Sequence, residues 1–173
     1  MPKLVVASAA PARHTNGGAP LAPWGDRLIY DGGLLFHGPR FHAIRRVEGA
    51  SGDGIRATLV GARELGWGSE AQRTDPAIVD GALQLALLWT RERLGQASLP
   101  MAIASLEWHL AGPVTGPVTA IVHGREADDA RAVCDVWLED ARGGIIGALR
   151  GVETIVRPLE VRAPHLVETG PAS

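Results

Sequence analysis

The sequence predicts an α+β fold in which one long buried helix is enclosed by an antiparallel sheet of about six strands. Two observations carry this prediction. Residues 76–89 form an almost continuous apolar run that only Asp80, Gly81 and Gln84 interrupt, and a helix that is apolar on nearly all sides is a buried helix. Most of the remaining chain consists of short runs typical of strands, which glycine-rich turns separate.

The predicted helix has clear start and stop signals. Asp75 is a good N-cap, and Pro76 suits the first helical position, where a missing N–H costs nothing. The run becomes charged after Trp89, and Gly95 follows the last helical residue, Leu94. We therefore expect the helix to span residues 76–94, which is long enough to cross a domain.

The strands are predicted on both sides of this helix. Residues 41–47 and 55–60 form two of them, joined by the turn-rich loop Gly49–Gly54. Four more follow the helix, over residues 101–110, 118–124, 130–139 and 145–156.

We expect the folded domain to span residues 26–157. Residues 1–25 are rich in Ala, Pro and Gly, and residues 158–173 are rich in Pro. Such composition is typical of linkers. The two ends are therefore predicted to be a flexible leader and a flexible tail.

Composition narrows the possible partners and location. The net charge is −2, and the chain has neither a basic patch suited to nucleic acid nor an apolar run long enough to span a membrane. We therefore expect binding to neither. The single cysteine, Cys134, excludes an internal disulfide and fits a reducing cytoplasm. Its strand-like surroundings favour a small buried filler over a nucleophile.

Asp80 and Gln84 are the first candidate site residues. They lie four residues apart, so they share one face of the helix. Polar groups in an apolar helix are costly unless they are partnered or have a function. Two interpretations stay open from the residues alone, a satisfied polar pair or a chemical site.

His37 is the second candidate. Gly38 and Pro39 after it form a turn signal, and the only two phenylalanines, Phe36 and Phe41, flank the segment. We therefore predict that His37 lies on a rigid corner between two aromatic anchors. A lone histidine is more often a packing or capping residue, and His37 is a candidate catalytic residue only if it lies beside Asp80.

These two segments, in this order and about forty residues apart, resemble the C-terminal half of polyketide synthase dehydratase domains. That family has a Tyr-Gly-Pro-x-Phe-like corner and a His-Pro-x3-Asp-x3-Gln/His segment that opens the central helix of a hotdog fold. Here the first reads Phe36-His37-Gly38-Pro39-Arg40-Phe41, and the second runs from Asp75 to Gln84. The corner is also similar to dehydratase-like domains of polyunsaturated fatty acid synthases.

The resemblance implies a dehydratase that removes water from a 3-hydroxyacyl chain carried on the phosphopantetheine of an acyl carrier protein, with no metal or other cofactor. Asp80 matches the family aspartate, which acts on the hydroxyl as an acid that burial would keep protonated. Gln84 would orient Asp80 or the hydroxyl, and His37 stands where the corner tyrosine contacts substrate. The same match implies substrate-binding roles for Gly38, Pro39, Phe41, Asp75 and Pro76.

The chain departs from the family pattern in ways that concern the base. His37 replaces the corner tyrosine, and Asp75 replaces the histidine that opens the helix segment. The family base lies in the N-terminal half, within a His-x3-Gly-x4-Pro motif. Residues 14–23 fit that spacing, but their linker-like composition argues against a catalytic His14. The base is therefore expected from an upstream hotdog or from His37.

Two other functions stay open. The segment could be a non-catalytic hotdog used for dimerisation or docking, or a hotdog thioesterase. Hotdogs usually pair side by side, and a single one exposes a sheet edge. We therefore expect a homodimer, or a pseudo-dimer with a second hotdog, together with other megasynthase domains as partners.

Overall fold

A computed structural model describes residues 3–5, 19–68 and 72–156, with side chains from residue 19 onward. In these ranges one α-helix, α1 (Pro76–Leu94), lies against an eight-stranded sheet. The strands are β1 (Lys3–Val5), β2 (Ala22–Pro23), β3 (Ile44–Ser51), β4 (Gly54–Leu59), β5 (Ser98–Trp108), β6 (Val118–Ala127), β7 (Arg131–Glu139) and β8 (Ile145–Val156).

The sheet has the strand order β1-β5-β8-β7-β6-β4-β3-β2. Every neighbouring pair is antiparallel except β1 with β5, which is parallel. The helix connects β4, on one side of the sheet, to β5, on the other. This crossover places α1 across the face of the sheet and confirms the predicted α+β architecture.

Both ends of α1 are formed as the sequence predicts. The Asp75 side chain accepts hydrogen bonds from the backbone N–H groups of Ala77 and Ile78, and Pro76 begins the helix. Gly95 ends it at φ 72°, where its N–H donates to the Arg91 carbonyl at 2.8 Å. Glycine adopts this left-handed conformation without strain, so the helix stops there.

The core lies between α1 and the face of the sheet that packs against it. Leu85, Leu88 and Trp89 are buried against strand residues, among them Ile55 and Leu138. Burial of a large apolar side chain stabilises a fold by about 1.5–3 kcal/mol. The many side chains buried between α1 and the sheet therefore supply most of the stability of the domain.

Glycine allows two close approaches in this core. A Cβ at Gly81 would lie 2.9 Å from the Cβ of Ala43, just before β3. A Cβ at Gly124, on β6, would lie 2.4 Å from the indole ring of Trp89. The helix therefore sits closer to the sheet than residues with side chains would permit at these points.

The first hairpin differs from the prediction. Residues 49–51 and 54 belong to β3 and β4, and only Gly52 and Asp53 form the turn, instead of a loop over Gly49–Gly54. A Cβ at Gly54 would lie 2.3 Å from the Val122 carbonyl. Gly49 and Gly54 thus allow close pairing of neighbouring strands. Composition alone does not distinguish such strand glycines from loop glycines.

The ends of the sheet also extend beyond the predicted elements. The strands β1 and β2 lie within residues 1–25, the expected leader, and Trp24 is buried. The Arg27 guanidinium stacks over Trp24 and pairs with Glu92 on α1. The sheet therefore begins before residue 26, while His14 and the tail from residue 157 lie outside the described residues.

No helix within the described ranges is long and apolar enough to cross a membrane.

Candidate functional site

Asp80 and Gln84 are in direct contact on α1. The Gln84 amide nitrogen donates to Asp80 Oδ2 at 2.7 Å and to the Phe41 carbonyl at 2.8 Å. Gln84 is 1% exposed, whereas Asp80 is only half-buried. The predicted shared face is correct, whereas the expected burial of Asp80 is only partial, since Asp80 lies near the start of α1 beside the exposed 38–41 turn.

Tyr30 completes the environment of Gln84. Its hydroxyl accepts from the Ile44 N–H at 2.9 Å and donates to Gln84 Oε1. Burial raises the pKa of Tyr30 well above its usual range; the Ile44 hydrogen bond opposes this, and the negative charge of Asp80 adds to it. Tyr30 is therefore a neutral donor. It is the only tyrosine in the chain, which is the one sequence signal that could have indicated it.

His42 links Tyr30 to the corner segment. Its ring stacks on the Tyr30 ring with centroids 3.9 Å apart and planes 5° apart. Its Nε2 lies 3.0 Å from the His37 carbonyl, which can only accept, so Nε2 carries a proton. The structure thus places His42 in the site cluster.

His37 lies close enough to Asp80 to respond to its charge. The ring is half-buried, and Nδ1 is buried without a hydrogen-bond partner among the described residues. Burial lowers the pKa of His37, the Asp80 carboxylate opposes this by raising it, and His42 lowers it further. The structure therefore brings together an imidazole that favours its neutral form and a carboxyl group from a segment 43 positions away.

The corner is less enclosed than predicted. Phe36 is 75% exposed and stacks on His37, while Phe41 is 47% exposed and meets Trp67 edge-on. Neither phenylalanine is the core anchor we expected. They remain outside because the segment 38–41 forms a short 3₁₀ turn at the surface, instead of the predicted start of a strand.

Three of the predicted substrate-binding residues lie in this turn or directly before it. Gly38 precedes it at φ −72°, an ordinary value for any residue, and its carbonyl accepts from the Phe41 N–H at 2.9 Å. Pro39 is the first residue of the turn and is exposed. Gly38, Pro39 and Phe41 thus lie next to His37, and their contact with substrate stays a prediction.

Asp75 has a different role from the predicted one. It is completely buried. In addition to its two capping bonds, its carboxylate accepts from the N–H groups of Ala62 at 3.0 Å and Val114 at 3.1 Å. Because its oxygens are occupied by backbone donors, the side chain has a structural role, and its contact with substrate stays a prediction. Pro76 beside it is half-buried as the first helical residue.

Cys134 is not part of the site. It is fully buried on β7, and burial, together with the neighbouring Asp135, raises the pKa of its thiol to about 12. A thiol held in this form is a poor nucleophile, in agreement with the predicted filler role.

The fold and this cluster define a hotdog domain with a polar site near the start of its central helix. A family model described as the polyketide synthase dehydratase N-terminal domain matches residues 10–163. The chain belongs to this dehydratase family. The matched model describes the N-terminal domain of the dehydratase, whereas the paired motifs resembled its C-terminal half. The family model and the motifs therefore agree on the family and differ on the half of the dehydratase.

Known proteins agree with this assignment. The chain is 33% identical over 114 residues to one of the subunits of the polyunsaturated fatty acid synthase from Thraustochytrium sp., a match that spans 61% of this chain and 4% of that protein. The dehydratase domain of a mycocerosic acid synthase-like polyketide synthase has a similar fold, with a TM-score of 0.56 at 17% identity. That similarity covers 72% of this chain and 44% of the solved domain.

A thioesterase is also similar in fold. A thioesterase from Haemophilus influenzae superposes with a TM-score of 0.52 at 17% identity, covering 68% of this chain and 82% of that one. At this identity the likeness concerns the fold alone.

Proposed function

We propose that this domain is a dehydratase that converts a 3-hydroxyacyl thioester, carried on an acyl carrier protein, into a 2-enoyl thioester. The observation that carries the proposal is the Asp80 carboxyl group held by Gln84 at 2.7 Å, within the electrostatic range of the His37 ring. Elimination of water from such a substrate needs a base at the α-carbon and an acid at the hydroxyl. We propose that the His37 imidazole and the Asp80 carboxyl group supply the two.

Asp80 is proposed as the acid. We propose that Asp80 acts after taking up a proton: it then donates to the leaving hydroxyl, while Gln84 holds the other carboxyl oxygen in place. His37 is proposed as the base, since burial favours its neutral form. His37 takes the α-proton, the C2–C3 double bond forms, the C3–O bond breaks, and water leaves with the proton from Asp80.

An apolar groove near this pair supports an acyl substrate. It is lined by Leu34, Leu35, Phe36, Leu87, Arg91, Ala97, Ser98 and Leu99. Leu87 lies seven residues after Asp80 on α1 and so near the same helix face, about 10 Å further along. We propose that the acyl chain extends from His37 and Asp80 into this groove.

The proposed test follows enoyl absorbance when the chain is mixed with a 3-hydroxyacyl pantetheine thioester. Asp80→Asn removes the acid proton but keeps an oxygen that can accept from Gln84. We expect turnover to fall roughly 10²- to 10⁴-fold, the usual contribution of a general acid. Asp26→Asn, at an exposed turn, is the matched control and should leave turnover unchanged.

The other outcomes separate the competing functions. Unchanged turnover in Asp80→Asn would remove Asp80 from the mechanism. Release of free thiol without enoyl product would identify a thioesterase. If the wild-type chain is inactive alone but active beside a second hotdog, the base is supplied by that partner and not by His37. Inactivity in both settings would support a non-catalytic docking role.

We also propose that the domain pairs with another hotdog, either as a homodimer or within a longer synthase. Apolar side chains exposed near the start of β5, Leu99 and Met101, support this, as does the neighbouring Phe36. An acyl carrier protein and other synthase domains are the remaining proposed partners, and a cytoplasmic location fits the single reduced Cys134. A monodisperse monomer by light scattering would contradict the homodimer.

A further inference from the structure

We infer that Tyr30 is a positioning residue that fixes, through Gln84, which oxygen of Asp80 is presented to the substrate. The catalytic consequence rests on the proposed dehydratase function. The arrangement itself rests on three hydrogen bonds that run from the backbone of β3 to the Asp80 carboxyl group, and on a fourth that joins Gln84 to the Phe41 carbonyl.

The direction of these bonds is set at Tyr30. The Ile44 N–H donates to the Tyr30 hydroxyl at 2.9 Å. The single hydroxyl proton of Tyr30 is then free to bind an acceptor, and Gln84 Oε1 is the acceptor within reach. Because Tyr30 donates, the oxygen of the Gln84 amide must face it and the nitrogen must face away.

The nitrogen end of Gln84 then has both of its protons engaged. One goes to the Phe41 carbonyl at 2.8 Å and the other to Asp80 Oδ2 at 2.7 Å. The reverse amide orientation would place its oxygen against two acceptors and leave the Tyr30 proton facing an NH₂ group. Buried polar groups in such an arrangement cost about 1–3 kcal/mol each, so only one orientation is stable.

The consequence for Asp80 is an asymmetric carboxyl group. Oδ2 accepts from Gln84, which leaves Oδ1 to carry the proton and meet the leaving hydroxyl. Proton transfer to the leaving hydroxyl requires one carboxyl oxygen of Asp80 in a fixed position, because the efficiency of the transfer depends on hydrogen-bond geometry. Tyr30 does not touch the reacting atoms in this scheme and acts through Gln84.

Tyr30 also reaches the opposite side of the site. Its ring stacks on His42 at 3.9 Å, and His42 donates to the His37 carbonyl at 3.0 Å. The hydroxyl of Tyr30 therefore orders the Asp80 side, and its ring supports the His37 side. These two contacts can be separated, because phenylalanine retains the ring and loses the hydroxyl.

The experiment compares wild type with Tyr30→Phe, Gln84→Ala and the double variant. For Tyr30→Phe we expect kcat to fall roughly tenfold with KM unchanged, since the lost interaction orients the acid rather than binds the substrate. If Tyr30 acts through Gln84, the double variant should be no slower than Gln84→Ala alone. Independent, multiplying effects would overturn the inference.

A second measurement does not depend on turnover. In the NMR spectrum of the wild-type domain, the Gln84 side-chain amide protons should exchange slowly with water because both are bonded. In Tyr30→Phe they should exchange faster. Altered exchange in a chain that shows no dehydratase activity would support the positioning arrangement while removing the proposed reaction. Unchanged exchange would overturn the positioning role.

A matched control accounts for simple loss of stability. Thr90→Val also deletes a buried hydroxyl, one that bonds to Thr154 at 2.7 Å, about 15 Å further along α1 than Asp80. It should lower the unfolding free energy while leaving kcat and the Gln84 amide protons unchanged. Equal effects of Thr90→Val and Tyr30→Phe on kcat would show that Tyr30 is only structural and would overturn the proposal.

Discussion

The backbone N–H of Val114 donates to the carboxylate of Asp75 at 3.1 Å. This bond joins the start of α1 to the connection between β5 and β6, and the bond from Ala62 adds the segment after β4. A Cβ at Gly61 would lie 2.5 Å from the same carboxylate. One buried side chain therefore holds three segments together next to the site.

We predict that Asp75→Ala destabilises the domain by about 3 kcal/mol or more. The substitution removes a helix cap, which costs about 0.5–2 kcal/mol. It also leaves the buried N–H groups of Ala62 and Val114 without acceptors, at about 1–3 kcal/mol each. Urea unfolding followed by circular dichroism would measure the loss.

Asp140→Ala is the comparison for this prediction. Asp140 also accepts from backbone N–H groups, those of Arg142 and Gly144 at 2.8 Å, but in a partly exposed turn. It should cost far less, because water can replace the lost bonds. An Asp75 variant that keeps full stability but loses substrate affinity would restore the substrate-binding role that the sequence suggested.

We predict that Gly81→Ala destabilises the domain, although this substitution usually stabilises a helix by about 1 kcal/mol. The new Cβ would lie 2.9 Å from the Cβ of Ala43, which cannot rotate away. The helix or the chain before β3 must therefore shift. Overpacking of this kind costs about 1–3 kcal/mol. Thermal unfolding would give the sign of the change.

The same substitution in an Ala43→Gly background provides the control for Gly81→Ala. With the Ala43 Cβ removed, the nearest remaining neighbour of the new Cβ is Leu59 Cδ1 at 3.2 Å, the end of a flexible side chain, so the destabilisation should shrink. Destabilisation of equal size in both backgrounds would show that Ala43 is not the cause.

We predict that His37 titrates below the ordinary histidine pKa of about 6.5, because burial lowers its pKa more than Asp80 raises it. Between the two pKa values the unfolded chain binds more protons than the folded one. The contribution of His37 to stability is therefore fully present above pH 6.5 and is lost as pH falls through its lower folded pKa.

NMR titration of the His37 ring would test this directly. In Asp80→Asn the pKa of His37 should fall further, because the charge that raises it is gone. The stability difference between wild type and His37→Asn should also shrink between pH 7 and pH 5. A His37 pKa above 6.5, or one that Asp80→Asn does not lower, would contradict the prediction.

Much of the helix could be predicted from the sequence because its signals are local. The cap at Asp75, the proline after it and the stop at Gly95 each act within one helical turn. The contact between Asp80 and Gln84 follows from helical spacing in the same way. The hairpin was harder, because Gly49 and Gly54 serve pairing with other strands and carry no local mark that distinguishes them from loop glycines.

The amino-acid sequence by itself determined the central helix, the α+β class and the face that Asp80 shares with Gln84. These depend on residues a few positions apart. Only the tertiary structure decided that Tyr30 and His42 join the site, that Asp75 is a structural cap, and that His37 lies within the electrostatic range of Asp80. Those outcomes depend on hydrogen bonds and close approaches between segments that are distant in the chain, and residue type and spacing do not specify which distant partners meet.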